Sequence, residues 1–365
     1  MKVICSKENL MEGINIVQKA VSTKTTLPIL EGILLDTGDT LKMTGNDLEI
    51  GIECLVEADI KRQGSIVLNS RMFGDIVRRL PDSEVLLEVK ENNVVIIECE
   101  KSLFEIKGLA AAGFPALPVI EMEGGLKISQ GIIKDMIKQT IFAVSVDENR
   151  PVLTGSLIEY KAANLTIVSI DGFRLALRKR VINGGSIDKS VVVPGKTLNE
   201  ISKIMQPVDE EITIYATKNQ VLFDLGRCKV VSRLLEGEYL NYKGIIPQDF
   251  ETKIRINTKD LLASFERVSL IITTEERRFP VKLNISDELL VITSNTDVGA
   301  AREEIRLEME GNKIDIAFNP RYFIDALRVI EDESIEIYFT SNIGPCTIRP
   351  VKGDDYAYLI LPIRK

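Results

Sequence analysis

Histidine and tryptophan are both missing from the 365 residues. Without histidine the chain lacks the commonest general base and a leading metal ligand, so proton transfer or metal binding would fall to carboxylates and lysines. This does not exclude catalysis but makes it a less expected role, and no cofactor is expected. Five cysteines (Cys5, Cys54, Cys99, Cys228, Cys346) form no CxxC pair and are odd in number. That usage suits buried free thiols in a reducing compartment, and the expectation is no disulfide and no zinc site. No stretch approaches the roughly 18 apolar residues that span a bilayer, and the first ten residues hold no apolar signal region, so a cytoplasmic protein is expected. Neither GxxxxGK[ST] nor a strand-linked GxGxxG occurs, which argues against bound nucleotide.

Positive charge is also in short supply, at −8 net with a sequence pI near 5.1. The sum argues against nucleic acid, but the distribution does not. Six candidate helices (7–24, 70–80, 130–142, 196–206, 258–269, 320–331) together carry +5, leaving −13 for the rest. An acidic body with mildly basic helices can tolerate a polyanion along one surface and repel it elsewhere.

What the chain does contain is repetition. In SRMFGDIVRRL (70–80), Arg71, Asp75 and Arg78 fall within roughly 60° of each other on a helix, with Phe73, Ile76, Val77 and Leu80 on the opposite side. A step of 125 residues leads to Lys196, Glu200 and Lys203, and a second such step to Arg321, Asp325 and Arg328. The apolar stripe follows, as Leu198, Ile201 and Met205 and then as Phe323, Ala326, Leu327 and Ile330. One amphipathic helix with ion pairs is ordinary. Three copies in constant register imply three tandem units whose charged faces look toward one common thing.

The rest of each unit is legible too. The first opens with a strand at 2–5 and a helix carrying Leu10, Ile14, Val17 and Val21 behind a Ser6 cap. Strands turn near Gly45-Asn46-Asp47 and at Asn92-Asn93, and the unit closes through 102–108. The second unit repeats the order through Ile133, Ile137 and Ile141, Arg150-Pro151, Ile170-Asp171-Gly172 and the Lys196 helix; the third does so through Leu261, Phe265 and Val268, Phe279-Pro280, Asp297 and the Arg321 helix. Boundaries fall near 121 and 247, giving units 1–121, 122–247 and 248–365. Two helices and about eight short strands per unit predict an α+β fold with helices gathered on one face of antiparallel sheets. Asp47, Asp171 and Asp297 stand in three different units, where each follows a strand; they read as turn residues, not as a metal cluster. Gly353-Asp354-Asp355 reads as a polar loop.

Three tandem copies with the phrases TLPIL (26–30), DGFRLA (171–176), FNPRY (318–322) and LPIR (361–364) resemble the bacterial DNA polymerase III beta subunit family, the sliding clamps, over the whole chain. The resemblance implies three clamp-fold repeats per chain, a head-to-tail homodimer closed into a ring, helices lining a hole around duplex DNA, and sheets outside. It implies a processivity factor for the polymerase catalytic subunit, loaded by a separate clamp loader and binding further replication and repair proteins, with no metal and no membrane. A ring holds DNA by topology, so a mildly basic lining suits sliding. The DNA-facing candidates are Lys24, Arg71, Arg78, Lys134, Lys138, Lys196, Lys203, Arg321 and Arg328, with Asp75, Glu200 and Asp325 keeping that lining weak.

The resemblance also implies an apolar peptide pocket. Its wall here would be Leu153, Ile170, Gly172, Arg174, Leu175, Ile245, Asn319, Tyr322, Leu361, Pro362, Ile363 and Arg364. Gly172 permits close backbone approach, the apolar side chains supply burial, and Arg174 and Arg364 can fix peptide carbonyls or carboxylates. The chain departs from the family pattern at Phe173, where His or Tyr is frequent, at Leu240 (Pro) and at Gly244 (a basic residue), and it ends in Lys365. A dimer seam is expected between 102–108 of one copy and 300–306 of the other, with Lys101 and Lys107 facing Glu303 and Glu304, and Ile76, Phe104 and Ile106 packing on Leu270 and Ile271. The competing reading is a repeat scaffold that binds peptides without encircling DNA. A metal-dependent nuclease would need clustered carboxylates that the Asp spacing does not supply.

Overall fold

The computed structural model describes residues 1–22, 25–182, 188–272 and 280–363. Of the candidates above, Lys24, Phe279, Arg364 and Lys365 lie outside the described residues.

All six expected helices form, the 258–269 helix at its full expected extent and the other five somewhat shorter than their periodic patterns: α1 (Lys7–Val17), α2 (Ser70–Arg79), α3 (Gln130–Lys138), α4 (Gly195–Ile204), then a single turn α5 (Tyr242–Ile245), α6 (Thr258–Ser269) and α7 (Pro320–Leu327). Caps set the starts. Ser6 accepts from the Asn9 N–H (3.2 Å), Asn69 from Met72 (3.0 Å), Asn257 from Lys259 and Asp260, and Asn319 from Arg321 (3.0 Å), where Pro320 also presets the first turn. The expected helix 7–24 ends early because its last turn tightens into a 3-10 segment, Gln18–Ala20, from which the Gln18 amide donates to the Ser70 carbonyl (2.8 Å).

The chain divides into two compact units, Met1–Gly131 with Lys203–Leu234, and Ile132–Ser202 with Leu235–Lys365; the division falls inside α3 and α4. In the first, a five-stranded sheet runs in the order Asp59–Arg62, Lys2–Ser6, Glu84–Val89, Val94–Cys99, Ser102–Lys107. An eight-stranded sheet runs Leu126–Ser129, Glu211–Ala216, Gln220–Asp224, Cys228–Arg233, Ile50–Val56, Leu41–Asn46, Gly32–Thr37, Gly64–Asn69. The second unit has a nine-stranded sheet, Lys189–Pro194, Gly155–Lys161, Asn164–Ile170, Arg174–Val181, Tyr356–Ile360, Cys346–Pro350, Ser334–Phe339, Thr252–Asn257, Glu308–Gly311. Its four-stranded sheet runs Gly299–Arg306, Leu289–Thr296, Val281–Ser286, Ile314–Phe318. Each long sheet joins strands of consecutive sequence repeats, which is why compactness divides the chain in two while the repeat divides it in three.

The helices pack pairwise, α1 on α2 and α6 on α7. Leu10, Ile14 and Val17 of α1 and Phe73 and Val77 of α2 are buried; Ile76 is half-buried. In α6 and α7 the Phe265 and Phe323 rings stack at 4.5 Å, with Phe318 edge-on to Phe323 at 5.2 Å. Each fully buried Leu, Ile or Phe contributes about 1.5–3 kcal/mol, so these stripes hold the helices to the sheets and leave their charged faces outward.

The cysteine expectation needs correcting. Cys54 and Cys228 stand directly opposite in the register of the strands Ile50–Val56 and Cys228–Arg233, 4.2 Å apart at Cα, and form a disulfide; Cys5, Cys99 and Cys346 are free and buried. The pair is 174 residues apart in sequence, and no local spacing signals it. The turn reading of Asp47 holds: its Oδ1 accepts from the N–H groups of Glu49 (3.0 Å) and Ile50 (2.8 Å). Asp297 sits in the turn between Leu289–Thr296 and Gly299–Arg306.

Candidate functional site

The turn joining Asn164–Ile170 to Arg174–Val181 is built by Asp171. Its Oδ1 accepts from the backbone N–H groups of Phe173 (2.8 Å) and Arg174 (3.0 Å), and Gly172 follows at φ +95°. That positive φ is what requires glycine; a Cβ would meet only the tip of the Arg150 side chain, with Nη1 2.8 Å away. The turn pushes the Phe173 ring outward, 58% exposed, and draws Arg174 inward.

Arg174 is the hub of what surrounds it. Its side chain is 13% exposed; Nε donates to Asp171 Oδ2 (2.9 Å), Nη1 to Asp325 Oδ2 (2.6 Å) and Nη2 to the Phe142 carbonyl (2.5 Å). The guanidinium also lies over the Tyr322 ring at 4.6 Å and the Phe142 ring at 5.4 Å. With three of its five N–H groups committed and two rings against it, Arg174 braces the site, tying the 171–173 turn to α7. Burial and the Asp171 carboxylate push the Tyr322 hydroxyl pKa up, so it stays a neutral donor.

Beside this brace opens a cleft of about 880 Å³. Val144, Val146, Arg150, Phe173, Ile272, Asn319, Tyr322 and Ile324 are among its walls. Of the twelve pocket candidates, Arg174, Asn319 and Tyr322 line it. Leu153, Ile170 and Leu175 lie beneath the surface in a core with Val168, Leu177, Tyr242 and Leu359. Gly172 makes the turn, and Ile245, on α5, is 39% exposed. The tail is pinned beside them, with the Leu361 N–H on the Phe173 carbonyl (2.9 Å) and the Ile363 N–H on the Ala317 carbonyl (2.8 Å). Leu361 and Ile363 are each 37% exposed and Pro362 is half-buried. Sequence reasoning missed Phe142, Arg150 and the second role of Asp171, whose carboxylate serves turn and arginine at once. The cleft rim is polar: Arg150 donates to Asp147 (2.9 Å) and holds that carboxyl pKa below its ordinary range.

The charged helix faces are outward as expected. Arg71 and Arg78 of α2 are exposed, Arg78 pairing with Asp75 at 2.8 Å. On α3 Lys134 is half-buried and Lys138 exposed; Lys196 and Lys203 of α4 are exposed, with Glu200 half-buried between them. Arg328 caps the end of α7 and pairs with Glu266 of α6 (2.8 Å), while Arg321 is exposed and lines the cleft.

Three family models, described as the N-terminal, central and C-terminal domains of the DNA polymerase III beta subunit, match residues 1–118, 127–241 and 243–364. The chain belongs to the beta sliding clamp family. It is 39% identical over 378 residues to the beta sliding clamp of Bacillus subtilis and 36% over 379 residues to that of Halalkalibacterium halodurans, all of each chain being covered. The fold matches the crystal structure of the Bacillus subtilis DNA polymerase sliding clamp at a TM-score of 0.97 and 38% identity, over all of this chain and 99% of that one. As a sliding clamp the chain is a processivity factor of DNA replication and not an enzyme.

Two of the terminal sheet strands have no further strand partner among the described residues and bear on assembly. Ser102–Lys107 ends the five-stranded sheet and Gly299–Arg306 the four-stranded one. On the first, Phe104, Lys101 and Lys107 are exposed and Ile106 half-buried; beside the second, Leu270 is 83% exposed and Ile271 half-buried. The acids expected to meet those lysines already have partners. Glu303 accepts from Arg267 (2.5 Å) and Ser264, which holds its carboxyl pKa below the ordinary value, and Glu304 accepts from Arg302. No helix of the described residues is long and apolar enough to cross a membrane.

Proposed function

We propose that the chain acts in the cytoplasm as a closed head-to-tail homodimer around duplex DNA, opened and loaded by a separate ATPase, and that it tethers the replicative polymerase and other proteins through peptides seated in the cleft beside Arg174. The observation that carries the reading is the pair of uncovered sheet edges. An exposed edge with apolar side chains invites pairing, and one edge completing the other in a second copy leaves neither open. The seam then uses Ile76, Lys101, Phe104, Ile106 and Lys107 against Leu270, Ile271, Glu303 and Glu304. Because both acids have partners in their own chain, the apolar group supplies most of the hold.

Three domains, 1–121, 122–247 and 248–365, fit this reading, and the extents of the family models support them. The lining contacts phosphates without sequence preference through Lys24, Arg71, Arg78, Lys134, Lys138, Lys196, Lys203 and Arg328, while Arg321, expected among them from the repeat, stands on the wall of the cleft and serves the peptide. In the peptide site, Tyr322 and Asn319 face the ligand, the exposed apolar groups Phe173, Ile245, Leu361 and Ile363 supply burial, and Leu153, Ile170 and Leu175 stiffen the floor.

The deciding experiment loads the protein on nicked circular DNA with a cognate loader and ATP, isolates the complex by gel filtration, then cuts the circle once and filters again. Retention on circles and release after linearisation is the expected result. Equal retention on both forms would mean ordinary contact binding, and failure to bind either, with the loader active on a control clamp, would leave a peptide scaffold.

A further inference from the structure

A second cavity in the unit that holds Arg174 shares no lining residue with the cleft and contains none of the charged lining candidates. It measures about 340 Å³, and its lining holds Arg178, Gln139, Tyr356 and Tyr358, the carboxylates Asp135, Glu331, Asp332 and Asp355, and the further cations Arg180 and Lys352. Arg178 stands in the strand Arg174–Val181, opposite Tyr356 in register, and is 7% exposed. Its guanidinium makes no hydrogen bond or ion pair among the described residues, and Nε is wholly enclosed with no acceptor. What it has is the Tyr356 ring, 5.5 Å away.

The lack of an ion pair is notable because carboxylates share the cavity. Asp332 instead accepts from the Tyr356 hydroxyl (2.8 Å), and Asp355 lies 3.7 Å from Arg180. Asp135 and Glu331 are exposed and do not reach Arg178. A buried cation is normally paired, since desolvating it without an anion is costly. On the same cavity the Oε1 of Gln139, in the turn just after α3, is also enclosed and has no donor. An orphan cationic donor and an orphan acceptor are complemented by a ligand that carries an anionic acceptor beside a donor. The four carboxylates outnumber the three cations Arg178, Arg180 and Lys352 by one, which favours a monoanion over a dianion such as a phosphate monoester, and the volume suits a small molecule.

We propose that this cavity binds a small carboxylate with an adjacent N–H or O–H group, the chemistry of an α-amino or α-hydroxy acid, with Arg178 on the carboxylate and Gln139 Oε1 on the donor. The full-length protein is titrated with alanine, lactate, acetate and inorganic phosphate by calorimetry and thermal melting. Alanine or lactate should bind with a Kd on the order of 1 mM or tighter, the better of the two naming the amino or hydroxy class, with acetate weaker and phosphate weakest. Arg178→Met should weaken binding about thirtyfold or more and raise the melting temperature of the ligand-free protein, because it removes an uncompensated buried charge. Gln139→Met should erase the preference over acetate and leave acetate itself unchanged, which keeps the test open if Arg178→Met fails to fold. Saturation absent for both acids at about 50 mM, phosphate binding tighter than either, or Arg178→Met or Gln139→Met binding like the parent would overturn the proposal.

Discussion

Arg174→Ala is the perturbation whose size the structure fixes best. The Asp171 pair is buried on both sides, at 13% and 15% side-chain exposure, and the bond to the Phe142 carbonyl is charge-assisted; each such bond is worth about 1.5–3 kcal/mol. The Asp325 carboxylate is 36% exposed, so its pair is screened and adds less than about 1 kcal/mol. Truncation also leaves the Phe142 carbonyl without this donor, and the total loss should be about 3–5 kcal/mol. For a unit of this size each kcal/mol moves the melting temperature by about 2–4 °C, so the transition of the unit holding Arg174 should fall by roughly 6–12 °C or more. Arg174→Lys, which can satisfy one carboxylate but cannot stack as a plane on Tyr322, should fall between. Because the brace sets Tyr322 and the 171–173 turn, fluorescence anisotropy with a labelled polymerase-derived peptide should show at least about tenfold weaker binding at a temperature where the variant remains folded. A variant that melted within about 1 °C of the parent would refute the bracing argument, even if peptide binding changed.

Replacing Leu270 and Ile271 together by alanine removes apolar area on the order of 3 kcal/mol per seam, about 150-fold for each seam and about 20,000-fold in dimer affinity over the two seams of a closed ring, and should give monomers by light scattering at micromolar concentration. A double mutant that stayed dimeric there would sink the seam placement. Thiol titration of the unreduced, denatured protein should count three reactive cysteines, rising to five after reduction; five before reduction would remove the Cys54–Cys228 bond. For Glu303 the sign runs as for any carboxyl held below its ordinary 4.5 by a cation: its stabilisation is complete above that value and fades as pH falls through the lower folded value. Arg267→Gln should therefore melt below the parent at neutral pH and converge with it in acid, and a gap that persisted in acid would show a loss of packing instead.

Helices and turns were readable because their signals are local. Apolar spacing, the Ser6, Asn69 and Asn257 caps, Pro320 after Asn319 and the Asp47 turn each act within about one helical turn of themselves. What stayed hidden depends on long-range pairing. Cys54 meets Cys228 across 174 residues, and Arg174 meets Asp325 across 151, with nothing in either neighbourhood to announce the partner. The cleft was legible only in its turn, DGFR, and in FNPRY; that Arg174 spends its donors on the protein, or that Arg178 has no carboxylate, requires seeing where strands from two sequence repeats come side by side.

The threefold charged face shows where the repeat gives way to local use. In α2 the acid serves its own helix, Asp75 neutralising Arg78. In α7 the equivalent Asp325 is drawn to Arg174, Arg328 turns to Glu266, and Arg321 is left with no ion-pair partner among the described residues on the wall of the cleft. Position in the repeat assigns Arg321 to DNA, whereas position in space assigns it to the peptide. The two assignments separate cleanly. If Arg321 serves the cleft, Arg321→Ala lowers peptide affinity about three- to tenfold, more at low salt than at high, and leaves retention on closed circles unchanged. If it serves the lining, peptide affinity stays put and the salt dependence of sliding-state DNA contact falls by up to about one unit of slope. A ring that holds DNA by topology can give up one lining charge to its partners at little cost, so the first outcome is expected, and the second would refute the spatial assignment.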